Sequence, residues 1–390
     1  MKKKLSIVMY SMAGGGAERV VAVLLEELRV DFEVSLVLMK KKIDYDVPQD
    51  IKVFFLEDSN PNENGILKLL KLPVLAWKYK NFCQQNNIDI SMSFTTRPTY
   101  FSIFSKWLGN RCHIIINEST TPSMMYQGKG LVARINKSLI RHLYPHAHKI
   151  IANSEGGKID LIQNFNIEES LITTIYNPCD LEMIKHKSHE KVNIFQEDTY
   201  NFISAGRLDS GKNHQLLIRA FAKINNKKSH LYILGEGSLK TLLEALINDL
   251  SLTSRVTLLG FDSNPYKYFS QADTFVFASN YEGFPVVLIE ALTCGLPMIS
   301  TDCKSGPREL LSPSSEISKQ IQRGVEIGEF GILTPIGEEK MLTEAMNKMC
   351  EDEVLRDEYK IKSQLRIKSF DKVNIVPLFI NILKQSEDLK

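Results

Sequence analysis

The chain has 390 residues, of which 43% are hydrophobic and 24% charged, and its net charge at pH 7 is +2. This composition is typical of a soluble globular protein, and the length exceeds one ordinary hydrophobic core, so we expect two domains. No apolar run reaches the roughly 18–20 residues that a membrane-spanning helix needs, and the basic start runs into a strand rather than a signal peptide. The six cysteines lack paired or metal-type spacing, as is typical of reduced cytosolic thiols.

The small net charge hides an uneven distribution. Residues 1–150 hold 21 Lys and Arg against 13 Asp and Glu, and within residues 66–149 the counts are 12 and 2. Such a block indicates an anionic partner, either nucleic acid or an anionic membrane surface. An unevenly charged soluble surface is the alternative.

Three lysines lie in a helical pattern that covers residues 66–82. At 100° per residue Lys68, Lys71 and Lys78 fall on one face, and Pro73 predicts a kink between them. Neighbouring leucines and a tryptophan favour contact with a membrane surface over a purely solvated face. We therefore expect a membrane rather than nucleic acid at this region.

The first strand, Leu5–Tyr10, is followed by Gly14-Gly15-Gly16 and a helical pattern. Strand, glycine loop and helix together predict a phosphate-binding arrangement, because bare backbone N–H groups can approach an anion closely. Arg19 stands where a dinucleotide fingerprint needs its third glycine, which disfavours that class; a tight turn that needs small residues remains open. Asp44-Tyr45-Asp46 matches the D-x-D pattern of metal-dependent transferases but has no second ligand cluster, so we expect it to be solvated.

Apolar strands alternate with helical stretches in both halves of the chain. This alternation predicts two consecutive doubly wound α/β domains with parallel sheets, joined in the polar stretch 181–199. Ligands of such sheets bind at the carboxyl ends of the strands, so the cleft between the domains is the expected site.

The loop after the first strand of the second domain carries two cations. The spacing from Gly206 to Lys212 imitates a P-loop, but Asn213 replaces the Ser or Thr that binds magnesium, which disfavours a nucleoside triphosphatase. What remains is Arg207 and Lys212, a pair that can hold a diphosphate. Surface cations near a turn are the alternative reading. In the next strand-end loop, Gly235-Glu236-Gly237 has glycines that let backbone lie close to a base or ribose.

A Glu-Gly-Phe-Pro turn links the strand at residues 275–278 to a helix that begins at about Pro285. Free N–H groups at a helix start form an anion site, and Glu282 and Glu290 flank this one. The arrangement suits a ligand with both hydroxyls and phosphate, such as a sugar nucleotide. A surface loop followed by a solvated helix acid is the alternative.

Taken together and in this order, these motifs resemble the retaining family 4 glycosyltransferases of GT-B fold. The resemblance covers nearly the whole chain and implies two Rossmann-like domains that face each other across a cleft. It implies an acceptor domain at residues 1–183, a nucleotide-sugar domain at 184–370, and a last helix, 371–390, that crosses back to the first domain.

The resemblance also implies a role for each motif residue. Glu282, Arg207 and Lys212 are the expected catalytic residues, the two cations acting on the donor diphosphate. The other expected donor-binding residues are Gly15, Gly16, Glu290, Gly283, Phe284, Pro285, Ser119, Glu118, Gly235 and Glu236. Ser119 stands where many members carry a histidine; it can donate one hydrogen bond but cannot become cationic, and Glu118 is expected to share its role.

A closer resemblance is to the α-1,4-N-acetylgalactosaminyltransferases that extend undecaprenyl-diphosphate-linked glycans in bacterial N-linked protein glycosylation. It is carried by segments such as Asn117–Ser123 and Lys304–Glu309, whereas the insertion at 312–328 resembles O-antigen and capsule enzymes. It implies a UDP-N-acetylhexosamine donor, a polyprenyl-diphosphate-linked acceptor, peripheral association with the cytoplasmic face of the inner membrane, and no metal or other cofactor. The candidates for the acceptor diphosphate, by position alone, are Lys68, Lys71 and Lys78.

Two other functions compete with this one. A UDP-N-acetylglucosamine 2-epimerase shares the fold and the donor, but it needs no lipid surface, and the basic apolar region argues against it. A sugar-nucleotide-binding module without turnover is disfavoured because both glutamates and both cations of the motifs are present.

Overall fold

The computed structural model describes residues 2–58 and 63–385, which divide into two units. One consists of the described residues up to Pro178 together with those from Lys372 onward, and the other is Cys179–Asp371. The boundary predicted at residue 183 falls inside a helix of the second unit, Leu181–Ser188. Polarity suggested a linker there, but Leu181 and Ile184 are buried and tie the helix to that unit.

The first unit is built on a seven-stranded parallel sheet. Its strands are β1 (Lys4–Met9), β2 (Glu33–Leu38), β3 (Lys52–Phe55), β4 (Ile90–Phe94), β5 (His113–Glu118), β6 (Lys149–Ala152) and β7 (Ile172–Thr174). They lie in the order β3-β2-β1-β4-β5-β6-β7. The helices are α1 (Gly16–Leu28), α2 (Gly65–Leu70), α3 (Leu72–Asn86), α4 (Thr96–Trp107), α5 (Pro122–Met125), α6 (Leu131–Leu143) and α7 (Glu155–Phe165). Central strands such as β4 are buried throughout, which explains their continuous apolar character.

The second unit repeats this plan. Its strands are β8 (Tyr200–Ala205), β9 (Ser229–Leu234), β10 (Val256–Gly260), β11 (Thr274–Phe277), β12 (Met298–Thr301), β13 (Glu326–Ile327) and β14 (Ile332–Thr334), in the order β10-β9-β8-β11-β12-β14-β13. All pairs are parallel except β13 with β14. The helices are α8 (Leu181–Ser188), α9 (His214–Ala222), α10 (Lys240–Asp249), α11 (Tyr266–Phe269), α12 (Val286–Thr293), α13 (Pro307–Leu311), α14 (Glu339–Glu351) and α15 (Glu353–Arg366). The prediction of two doubly wound parallel sheets is confirmed.

The last described helix, α16 (Lys372–Gln385), belongs to the first unit. It packs on α1, and two ion pairs fix it: Lys372 to Glu27 at 2.8 Å and Lys384 to Asp31 at 2.6 Å. Within the described ranges, no helix combines the length and apolar character that crossing a bilayer requires.

The predicted kinked helix at 66–82 is instead two helices. The chain breaks at Lys71, between α2 and α3, and Pro73 occupies the first turn of α3. Proline is favoured there because its missing N–H has no helical partner in a first turn. Lys68 and Lys78 therefore lie on two successive helices rather than on one kinked helix.

Each sheet has a point where the strand order reverses. In the first unit it lies between β1 and β4, and in the second between β8 and β11. The loops that leave the carboxyl ends of such neighbouring strands diverge to opposite faces and open a crevice, the usual place for a ligand.

Candidate active site

The loops after β8 and β11 meet at the reversal point of the second sheet. Asp209 Oδ1 accepts hydrogen bonds from the backbone N–H groups of Gly211 (3.0 Å) and Lys212 (3.1 Å), which closes a tight turn. Asn280 ties this turn to the second loop: its N–H donates to Gly211 O, and its side-chain amide donates to Ser210 O. The two loops therefore form one hydrogen-bonded surface.

This surface brings two of the predicted catalytic residues together. Lys212 Nζ lies 2.5 Å from Glu282 Oε1, and the side chains are only 21% and 12% exposed. The ammonium also lies 5.0 Å from the centre of the Phe277 ring, a cation–π contact. A paired cation and carboxylate at a strand-end crevice can bind a ligand that carries both an anion and hydroxyl groups.

Arg207 is the third predicted catalytic residue, and it differs from the pair. Its side chain is 75% exposed, and its Nε is 3.7 Å from Asp209 Oδ2. An exposed guanidinium on a flexible stem is free to turn toward an arriving anion, whereas Lys212 is already fixed.

Glu290 lies on α12 and is buried. The Tyr266 hydroxyl donates to its Oε1 at 3.0 Å, so Glu290 is held from α11. The Glu-Gly-Phe-Pro turn precedes this helix, and Gly283, Phe284 and Pro285 are all buried. The helix begins at Val286 with Pro285 as its N-cap, one residue later than predicted.

Two glycine loops approach each other at the ends of β8 and β9. Leu208 N–H donates to Glu236 O (2.9 Å), and Gly206 N–H donates to Leu234 O (3.0 Å). Gly235 has φ +135°, and a Cβ there would overlap Gly206 O. Glycine is therefore required, because any side chain would push these two predicted donor-binding loops apart. The Glu236 side chain itself is exposed.

In the first unit, the loop after β1 is held by the segment that follows β2. Asp44 Oδ2 accepts from Gly14 N–H (3.1 Å), and the Tyr45 hydroxyl donates to Gly15 O (3.2 Å). Gly15 is the N-cap of α1, and Gly16 is its first residue. Asp44 and Asp46 are exposed, as expected of a solvated segment, but Asp44 also shapes the glycine loop through a contact between positions 30 residues apart.

Glu118 and Ser119 stand at the carboxyl end of β5. Glu118 is buried, and its carboxylate accepts from the Thr120 hydroxyl (2.7 Å), Thr120 N–H (3.0 Å) and the Tyr144 hydroxyl (2.6 Å). Burial raises the pKa of this carboxyl. These bonds fix the 118–120 loop, and a role for Glu118 beside Ser119 on the donor stays a prediction. Ser119 Oγ is buried and makes no hydrogen bond within the described residues.

The three predicted acceptor lysines have separate surroundings. Lys71 pairs with Glu63, and Lys78 Nζ donates to Leu56 O at 3.3 Å. Lys68 lies in the last turn of α2.

Several residues that shape the site were not predicted from the sequence. Asp209 carried a recognisable signal, since an Asp two residues before Gly is typical of an Asx turn. Asn280 and Tyr266 carried none, because their contacts join positions 70 and 24 residues apart.

Comparisons with known proteins identify the family. Residues 14–183 match the model of Glycosyltransferase Family 4, and residues 185–366 match that of Glycosyl transferases group 1. The N-acetylgalactosamine-N,N'-diacetylbacillosaminyl-diphospho-undecaprenol 4-alpha-N-acetylgalactosaminyltransferase of Campylobacter jejuni is 46% identical over 373 residues, which cover 96% of this chain and 97% of that protein. A second Campylobacter jejuni enzyme, a GalNAc-alpha-(1->4)-GalNAc-alpha-(1->3)-diNAcBac-PP-undecaprenol alpha-1,4-N-acetyl-D-galactosaminyltransferase, is 23% identical over 98% of both chains.

Solved structures show the same fold. HepE of Anabaena, in complex with UDP and glucose, superposes with a TM-score of 0.75 at 19% identity and covers 98% of this chain and 100% of its own. Sucrose-phosphate synthase of Thermosynechococcus elongatus reaches a TM-score of 0.81 at 16% identity, with coverage of 98% and 99%. The predicted family and GT-B fold are confirmed, and the chain belongs to the family 4 glycosyltransferases.

Proposed function

We propose that this enzyme moves N-acetylgalactosamine, or a related N-acetylhexosamine, from a UDP-sugar to a saccharide on undecaprenyl diphosphate, with retention at the anomeric carbon. The product would serve glycoprotein glycan or surface polysaccharide synthesis. The observation that carries the proposal is the Lys212–Glu282 pair at the reversal point of the second sheet. The name of the Campylobacter jejuni relative at 46% identity supports the choice of transferred sugar and acceptor, and the UDP bound to HepE supports a UDP donor.

The chemistry follows from where charge develops. The bond between the anomeric carbon and the diphosphate oxygen breaks, and the same carbon bonds to an acceptor hydroxyl oxygen on the same face. The acceptor proton passes to the departing diphosphate oxygen, so that no separate base is required. Lys212 and Arg207 would neutralise the leaving diphosphate, which is the main catalytic term in such a reaction. We propose that these two cations act without a metal ion.

Glu282 would receive the donor sugar. Its Oε1 is engaged by Lys212, so the carboxylate is held in one orientation beside the proposed diphosphate site. Hydroxyl groups of a hexosamine donate well to such a carboxylate.

The transfer itself is tested by mass spectrometry on purified protein with UDP-N-acetylgalactosamine, other UDP-sugars and an undecaprenyl-diphosphate-linked saccharide, in EDTA. A mass gain of one N-acetylhexosamine is expected. Glu282→Gln should abolish the gain, and Glu244→Gln, an exposed acid on α10, serves as the matched control that keeps it. A mass gain that appears only after a divalent cation is added would refute the proposal that the transfer needs no metal ion. Transfer at the wild-type rate by Glu282→Gln would refute the role of Glu282.

We also propose that the first unit docks on an anionic bilayer through α2, α3 and the start of α6. Apolar side chains stand exposed there beside basic ones, and Leu70 (69%) and Trp77 (57%) are among the most exposed. The start of α2 lies against α6, since a Cβ on Gly65 would contact Val132. The apolar side chains of this surface are Ile66, Leu67, Leu70, Val74, Trp77 and Leu131. Apolar insertion combined with phosphate attraction is the usual basis of peripheral binding.

Vesicle flotation tests this docking. Wild-type protein should float with vesicles that contain phosphatidylglycerol, and the double variant Leu70→Glu/Trp77→Glu should remain in the dense fraction. Leu242→Glu, an exposed leucine of the second unit, is the matched control. Equal flotation of all three proteins would refute the assigned surface.

A further inference from the structure

A short segment after β12 lies directly behind the Glu-Gly-Phe-Pro turn. The Ser305 hydroxyl is 3.0 Å from both Glu282 O and Gly283 O. Gly306 has φ +88°, and a Cβ there would stand 2.6 Å from Gly283 O and from Pro285 Cδ. The segment is therefore fitted to the back of the turn with no room for a side chain at residue 306.

One arginine holds that segment in place. Arg308 and Asp302 are both buried, with Arg308 Nε 3.1 Å from Asp302 Oδ1 and Nη2 2.6 Å from Oδ2. The other edge of the guanidinium contacts Glu326, with Nη1 at 3.1 Å from Oε1 and Nη2 at 2.9 Å from Oε2. Two forked contacts on one planar guanidinium fix its orientation, which a lysine could not reproduce.

The same network reaches into the insertion at 312–328. Arg308 Nη1 donates to Ser315 Oγ (2.7 Å), and Asp302 Oδ2 accepts from Ile321 N–H (2.7 Å). Glu326, which pairs with Arg308, also belongs to the insertion. The insertion is thus tied to the segment behind the turn through the buried Arg308–Asp302 pair, and removing one member of that pair is costly because the other remains buried and charged.

We infer that Arg308 is a positioning residue for donor recognition: through Asp302, Ser305 and Gly306 it sets the backbone of the turn that receives the donor sugar. This inference rests on the proposed role of that turn. Among the described residues Arg308 makes no hydrogen bond or ion pair with Arg207, Lys212 or Gly235, so its loss should act mainly on the sugar end of the donor.

The experiment compares Arg308→Lys, Arg308→Met and Ser305→Ala with wild type. We measure kcat, the affinity for UDP alone, and the ratio of kcat/KM for UDP-N-acetylgalactosamine to that for UDP-N-acetylglucosamine. The Arg308 variants should lose 10-fold or more in kcat and show a lower donor ratio, while UDP affinity stays within twofold. Ser305→Ala removes the contact to the turn without touching the charges and should lower the donor ratio in the same direction.

Controls separate positioning from general damage. Lys319→Met removes an exposed ion pair with Glu316 in the same insertion and should match wild type in every measurement. If Arg308→Met fails to fold, Asp302→Asn/Arg308→Met removes both buried charges; it should fold and still show the reduced ratio. The inference would be overturned if Arg308→Lys and Ser305→Ala kept the wild-type kcat and donor ratio. It would also be overturned if the affinity for UDP fell in step with kcat. If the Arg308 and Ser305 variants behave like wild type but Glu282→Gln is inactive, the inference about Arg308 fails and the proposed donor turn stands. If Glu282→Gln is also fully active, the assignment of the donor turn fails as well.

Discussion

Replacing Lys212 by methionine removes one charge from the proposed active site while keeping the length of the side chain. The ammonium is 2.5 Å from Glu282 Oε1 and mostly shielded from water, so methionine leaves a carboxylate without its cation and a diphosphate without one of its two neutralising groups. A charge-assisted hydrogen bond contributes about 1.5–3 kcal/mol, and every 1.4 kcal/mol is tenfold in rate or binding. We expect kcat/KM for the UDP-sugar to fall by roughly 10- to 150-fold from the lost bond. Because the diphosphate gains charge as it leaves, most of the loss should appear in kcat.

The assay is the initial rate of N-acetylhexosamine transfer at several donor concentrations, alongside urea unfolding of each variant. Lys212→Arg keeps the charge and should retain more activity than Lys212→Met. Lys212→Met/Glu282→Gln removes the unpaired carboxylate, so its stability should return toward wild type while its activity does not. Activity of Lys212→Met within twofold of wild type, or recovery of activity in the double variant, would refute the reasoning.

Three further predictions concern stability and pH. Gly235→Ala should destabilise the folded protein by about 1–3 kcal/mol through backbone strain alone, and by more through the overlap of its Cβ with Gly206 O. It should also lower the rate of sugar transfer. Gly109→Ala, at positive φ with open space around it, is the control in thermal unfolding for the backbone part. Burial lowers the pKa of His214 from 6.5 to about 4, so the unfolded chain binds the proton first, and the stability that His214 contributes should fall as pH drops from about 6.5 toward 4, by roughly 3 kcal/mol. Urea unfolding at pH 7, 6 and 5 should show a shallower pH slope for His214→Leu than for wild type, because His148, whose pKa burial also lowers to about 4, still contributes. Tyr266→Phe removes a hydrogen-bond donor to the buried Glu290 carboxylate and should cost about 1.5–3 kcal/mol of stability. Calorimetry should also show weaker UDP binding. Unchanged stability and UDP affinity would show that this hydrogen bond is dispensable.

The fold was predictable because its determinants are local. Parallel strands buried on both faces must be apolar along their length, and β4 and β9 are buried at every position. Glycine loops at strand ends mark where backbone must approach closely, as Gly235 and Gly206 do. Periodicity was less reliable at α2 and α3, because apolar spacing continues across the break at Lys71 and a proline early in the second helix looks like a kink in one long helix.

The motif residues of the site could be proposed from the sequence, but the contacts that shape it could not. Arg308 reads as an ordinary helix arginine, and only the fold brings it between Asp302 and Glu326, which are 6 and 18 residues away. Glu118 shows the same limit, since its three hydrogen bonds to Thr120 and Tyr144 cannot be read from the sequence. Such contacts depend on which loops the sheet order brings together.

The return of α16 to the first unit has a consequence for how the protein is made. Ribosomes deliver the chain from its N-terminus, and domains generally fold as units while they emerge. Here Glu27 on α1 and Asp31 just after it receive their partners on α16 only after more than 340 further residues have been synthesised. The unit that begins first is therefore completed last, after the whole of the second unit has been synthesised.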